Sequence, residues 1–155
     1  MSEEKRTQIV DALLASQAQL TEFFESVADP ARQPAPGQWS IRQIAWHLAT
    51  VESGCLLVRI QQIAAGTNPT FGIYLDTETE FNRRGLAFAL EEWAHARQAV
   101  VSFVNGLPAE ALAYTGNHPT FGRLTVLGYL QIFLDHDQRH LEELQALDVV
   151  ANRKS

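Results

Sequence analysis

Four stretches of this 155-residue chain place apolar residues three, four and seven apart, and clusters of glycine and proline separate them. That spacing is the period of the α-helix, and it constrains the fold more than any other feature of the sequence. The first stretch runs from Glu3 to about Val27 through Ile9, Leu13, Leu20, Phe23, Phe24 and Val27. It stops before Asp29-Pro30, and Pro34, Pro36 and Gly37 make the next segment a loop, because proline lacks an amide donor and clashes with the preceding turn.

Ser40 followed by Gln43 predicts a capping box at the start of a second helix, with Trp39 just before it as a staple on Ile44. This helix passes through Ile41, Ile44, Leu48, Val51, Cys55 and Val58 to about Ala65 and ends at Gly66. Gly66, Asn68-Pro69 and Gly72 then mark an irregular crossover, long enough to cross a bundle. Asp76 caps a third helix that reaches Asn105, with Leu86, Leu90, Trp93, Val100, Val101 and Val104 on one face. Phe81, Phe88 and His95 lie seven apart on the other side, with Phe103 near the same line, so a homodimer is expected to cover these aromatics. After a loop with Gly116, Pro119 and Gly122, a fourth helix runs from about Thr125 to Asp148. The expectation is therefore an all-α four-helix bundle, one domain over residues 1–155, with no convincing strand; hydrophobic content of 46% suffices for one core.

Charge narrows the partners. A net charge of -6 with no window rich in Lys or Arg argues against nucleic acid and against an anionic membrane surface. No apolar run is long enough to span a bilayer and MSEEKRTQ has no signal core, so a cytoplasmic location is expected. Cys55, the single cysteine, reads as a small core residue. No phosphate-binding glycine loop, Gly-x-Ser-x-Gly elbow or Cys-x-x-Cys pair is present.

The chemistry lies in the histidines. His136 and His140 are spaced i,i+4, about 40° apart around a helix and roughly 6 Å along it, close enough to share a cation. The pair alone also reads as two half-buried histidines. His47, at the edge of the second helix's apolar arc, supplies a third imidazole, and three neutral imidazoles leave coordination positions open for water or substrate. Imidazole suits several divalent transition metals. Glu52 and Asp137 fall on apolar arcs, where a carboxylate needs a partner. They either support a ligand imidazole, as an orienting or proton-accepting group, or pair with Arg42, Arg59, Arg139 or another base across the bundle. A carboxylate-bridged di-iron bundle is disfavoured, because His95 of the Glu92/His95 pair points away from the main face. His118, in a loop, and Trp46, beside His47, are pocket candidates.

Three segments carry a family resemblance: Pro36-Gly37-Gln38-Trp39-Ser40-Ile41 leading into His47-Leu48-Ala49-Thr50-Val51-Glu52, then His118-Pro119-Thr120-Phe121-Gly122, then His136-Asp137-Gln138-Arg139-His140-Leu141. Together they resemble the DinB superfamily, including its DinB-like and YfiT-like branches. The resemblance implies an up-down-down-up bundle, metal ligation by His47, His136 and His140, zinc or nickel as the metal, and frequent homodimers. It implies a metal-dependent enzyme acting on a small molecule, either a hydrolase or an S-transferase using a low-molecular-weight thiol such as bacillithiol or mycothiol. The alternative is a non-catalytic metal-binding or stress-response interaction protein acting as a dimer. Leu141-Glu142 stands where the family often has Gly-Gln, and Gly128 where its last helix commonly carries Glu or Gln; neither position is a ligand.

Overall fold

A computed structural model of the chain describes residues 2–33, 36–75 and 85–148. Its helices are α1 (Ser2–Glu25), α2 (Ile41–Val51), α3 (Leu57–Ala64), α4 (Leu86–Asn105) and α5 (Val126–Asp148), and a π-helical turn, Glu52–Leu56, joins α2 to α3 without a break. A 3-10 turn (Ala109–Ala113) and two strands, β1 (Thr115–His118) and β2 (Gly122–Thr125), precede α5. The Asp76 cap and Phe81 lie outside the described residues; α4 opens at Leu86 with Gly85 as its cap.

Local chemistry sets the helix starts. The backbone N–H of Gln43 donates to Ser40 Oγ at 3.1 Å, and that of Ser40 to Gln43 Oε1 at 2.8 Å, so the predicted capping box is complete. Thr125 Oγ1 accepts the Gly128 amide at 3.1 Å at the start of α5. Gly66, at φ 82°, takes the left-handed conformation that ends α3.

Two apolar clusters fix the direction of each helix. One gathers Ile9 and Leu13 from the start of α1, Ile60 and Ile63 of α3, Val100 and Val104 from the end of α4, and Val126 and Leu130 from the start of α5. The other gathers Leu20 and Phe24 from the end of α1, Ile41 and Ile44 from the start of α2, Leu90 and Trp93 from the start of α4, and Leu141 and Leu144 from the end of α5. The first and last helices thus run one way and the middle two the other, which is up-down-down-up. The Arg6 guanidinium ties the ends, donating to the carbonyls of Val104 at 2.9 Å and Leu107 at 2.7 Å. Parallel middle helices require the long crossover expected after Gly66, because the chain must return about 30 Å, the length of a 20-residue helix, before α4 begins.

The hairpin corrects the expectation of no strand. β1 pairs antiparallel with β2, Thr115 opposite Thr125 and His118 opposite Gly122, and an isolated bridge joins Asn117 to Thr70 of the crossover. Four-residue strands holding two glycines show no alternating apolar pattern, so the segment reads as loop until the crossover supplies partners: the Asn117 backbone N–H donates to the Pro69 carbonyl at 2.8 Å and the Asn117 carbonyl accepts the Phe71 N–H at 2.9 Å. Gly116 permits this seat. A Cβ there would stand 2.8 Å from Ile63 Cγ1 and 3.1 Å from the Phe71 ring. Gly116→Ala is therefore expected to destabilise the protein by about 1–3 kcal/mol through overpacking, measured by urea denaturation.

Candidate metal centre

The helices deliver the three predicted imidazoles to one point. His47 comes from the middle of α2, and His136 and His140 from adjacent turns of α5. One ligating nitrogen from each lies within 4.8 Å of those of the other two. The Nε2 atoms of His136 and His140 are 3.0 Å apart, and the His47 ring centroid is 5.6 Å from that of His136 and 5.4 Å from that of His140. Two nitrogens each about 2.0–2.1 Å from one cation are at most about 4.2 Å apart, so the α5 pair fits a shared ion. The Nδ1 atoms of His136 and His140 are buried without a hydrogen bond; Glu143 stands 3.5 Å from the latter, within ion-pairing reach only. Among the described residues this is the one group of three such donors. The set is imidazole alone, the donor chemistry of zinc, nickel and their neighbours.

Electrostatics keeps the two α5 rings in the ligating state. Burial, then the nearby His140 and His47 rings, lowers the His136 pKa to about 3. Burial, then His47 and Arg139, lowers that of His140 to about 4. Both folded values lie below the unfolded value near 6.5, so the folded protein binds fewer protons, and the stability that results is present above pH 6.5 and lost as pH falls toward 4 and 3. The urea midpoint of metal-free protein is expected to drop across that window. A midpoint flat from pH 6.5 to 4 would contradict it.

Of the readings open for Glu52 and Asp137, the geometry gives pairing across the bundle. The base is Arg97 of α4, which the sequence reasoning did not single out. Arg97 is fully buried and both carboxylates are 1% exposed, so three charges sit together inside the core. The Arg97 Nε donates to Glu52 Oε2 at 2.5 Å and its Nη2 to Glu52 Oε1 at 2.7 Å and Asp137 Oδ1 at 3.4 Å. Its Nη1 donates to Asp137 Oδ2 at 2.8 Å and to the Leu13 carbonyl at 2.8 Å, so all five N–H groups have acceptors. Ser16 Oγ donates to Asp137 at 3.1 Å and Trp93 Nε1 to Glu52 at 3.4 Å. Burial opposes charge on Arg97, but Glu52 and Asp137 outweigh it and hold the guanidinium more firmly charged than in water. Burial pushes the Glu52 pKa up, against the pull of Arg97. Asp137 adjoins His136 in sequence and Glu52 follows α2, so the trio locks the helices that carry the imidazoles.

A cavity of about 320 Å³ opens beside the cluster, lined among others by His47, His136, Cys55, Arg59, His118 and Tyr129. The π turn shapes its wall. His47, Val51, Cys55 and Arg59 all face it at steps of four, whereas an unbroken α-helix would drift about 120° over those twelve residues. Opening the helix to i→i+5 bonding between Glu52 and Leu56 takes back part of that drift. His118 joins the wall from the end of β1. Trp46 does not: its ring packs 5.6 Å from that of Phe88, and the aromatic against His47 is Trp39, at 4.9 Å. Tyr129 is buried, its pKa raised by burial to about 12 although Arg59 donates to its hydroxyl at 2.7 Å, so it stays a neutral phenol. Burial likewise raises the Cys55 thiol, whose Sγ lies 4.0 Å from that hydroxyl, so it is no thiolate nucleophile at neutral pH. His95 is exposed, and Phe88 is 40% exposed on the face read as a dimer contact.

Comparison with known proteins places these features. The family model of the DinB superfamily matches residues 11–144. YfiT from Bacillus subtilis, described as a probable metal-dependent hydrolase with an unusual four-helix bundle topology, superposes with a TM-score of 0.83 at 17% identity, over 99% of this chain and 91% of its own. TT2238, described as a four-helix bundle protein, superposes with a TM-score of 0.69 at 22% identity, over 91% of this chain and 98% of its own. At these identities the likeness is one of fold. No curated protein matches the sequence.

Proposed function

The chain belongs to the DinB superfamily, and on that footing we propose that His47, His136 and His140 hold a divalent transition metal, zinc or nickel, in an enzyme that acts on a small molecule. The observation that carries this reading is the meeting of three half-buried imidazoles, two of which, His47 and His136, line an open cavity. A sealed cluster would have favoured a purely structural metal; an accessible one suits catalysis. The description of YfiT as a probable metal-dependent hydrolase supports the same class. When bound, such an ion supplies Lewis acidity, lowering the pKa of water or of a thiol.

The chain's own residues do the rest. The His136 and His140 imidazoles stay neutral and present lone pairs. Glu52 and Asp137, committed to Arg97, serve by holding α2, α4 and α5 in register rather than by taking a proton. Val51, Ile132 and Phe133 give the cavity apolar walls that exclude bulk water from one side of a bound molecule. The reaction is hydrolysis or transfer of a low-molecular-weight thiol to an electrophile. The protein works as a homodimer through the face bearing Phe88 and Phe103.

Turnover tests the reading. Zinc- or nickel-loaded protein is expected to hydrolyse activated esters or amides, or to conjugate a thiol to an electrophile, and His47→Ala to lose that activity. Loaded wild type inert in both screens would favour the non-catalytic, interaction-protein alternative.

A further inference from the structure

The charged groups that line the cavity, among the described residues, are cations. Arg59, Arg139 and His118 line it, and among the described residues no aspartate or glutamate does, in a chain with 18 acidic and 12 basic residues. His118 Nδ1 accepts the backbone N–H groups of Thr120 at 3.0 Å and Phe121 at 3.1 Å, so its lone pair there is spent and the neutral ring carries its proton on Nε2. What the ring has left to offer is an N–H.

Arg59 is held in place. It donates to the Tyr129 hydroxyl at 2.7 Å and to the Gly72 carbonyl at 2.7 Å, and lies 4.9 Å over the Phe71 ring. Two of its five donors are used in this way, and the guanidinium stays against the cavity. Arg139 is the opposite case. It is exposed, and among the described residues it has no carboxylate partner, although it follows the Asp137 pair by only two positions. A guanidinium on the cavity wall offers a fork of donors that matches a carboxylate. The remaining walls are apolar, and Ile73, 76% exposed, extends them to the mouth. A volume of about 320 Å³ suits a ligand of few heavy atoms.

We propose that the cavity takes a small apolar carboxylate, its anionic end held by Arg139 and Arg59 and its hydrocarbon part against the apolar wall. This deepens the reading of the cavity as a substrate site and rests on it. Arg139 is the specificity-determining residue; Arg59, tied to Tyr129 and Gly72, is the preorganised partner.

Hexanoate and its neutral isostere hexanamide, titrated calorimetrically into zinc-loaded and into chelator-treated protein, test this. Hexanoate is expected to bind both forms and hexanamide at least about tenfold more weakly, with Arg139→Gln costing hexanoate roughly tenfold and Arg139→Lys recovering part of it. Arg139→Gln should leave the thermal midpoint unchanged, since the side chain is exposed and has no hydrogen bond or ion pair among the described residues. Equal binding of hexanamide, undiminished binding by Arg139→Gln, or hexanoate binding only to the zinc-loaded form would overturn the proposal, the last because the anion would then be on the metal. Hexanoate bound by protein that takes up no metal would support the anion site while removing the metal reading, so the two failures separate.

Discussion

Replacing Arg97 with methionine is expected to cost about 3–5 kcal/mol of folding stability, because it leaves Glu52 and Asp137 buried without a counter-charge. Both carboxylates are 1% exposed. At about 2–4 °C per kcal/mol for a domain of this size, the thermal midpoint should fall by roughly 6–20 °C. The penalty belongs to the stranded charges rather than to the loss of a favourable bond. Adding Glu52→Gln and Asp137→Asn to Arg97→Met should therefore restore much of the stability, although the Leu13 carbonyl still loses its donor. An Arg97→Met protein within about 1 kcal/mol of wild type would mean that the trio is solvated or dispensable.

The second large effect concerns the metal. His136→Ala removes one corner of the triangle of imidazoles, 5.6 Å from His47 and 4.4 Å from His140 by ring centroids. Two imidazoles on different helices then remain, and a pair without a third protein ligand gives up the arrangement that makes a site selective for a transition metal. Loss of a mere supporting hydrogen bond near a metal weakens binding about 10- to 100-fold, so loss of a ligand should exceed that. His47→Ala should be at least as damaging, since it leaves both remaining imidazoles on one helix. Folding is expected to survive either change, because all three rings are only half-buried.

The helices were legible because burial imposes a period. Leu13, Leu20, Ile44, Trp93, Val100 and Leu144 are all fully or almost fully buried, as their spacing demands. The Ser40–Gln43 box was legible because it is local chemistry. The histidine site was legible in part, since His136 and His140 carry their own spacing, while His47 had to be brought from another helix by the bundle. The π turn left no mark, because opening a helix from i→i+4 to i→i+5 requires no particular residue type. Trp46 went astray for a related reason: one position on a helix is 100° of rotation, so a neighbour of His47 in sequence faces Phe88 instead.

Arg97 was hidden in plain view. It lies four after Trp93 and three before Val100, on the buried face of its helix, and the pattern of apolar residues passes over a cation there. The signal was the match of one arginine with two carboxylates, each on an apolar arc of a different helix. The hairpin depended on the crossover that backs it, which no local window contains.

The account stands on the three imidazoles sharing one ion, and metal content by mass spectrometry tests that most directly, on protein purified without a histidine tag or immobilised metal. About one equivalent of zinc or nickel in wild type, or restorable to it, with little in His136→Ala, is the predicted result; wild type that neither carries nor takes up metal, or a variant that retains a full equivalent, would contradict it.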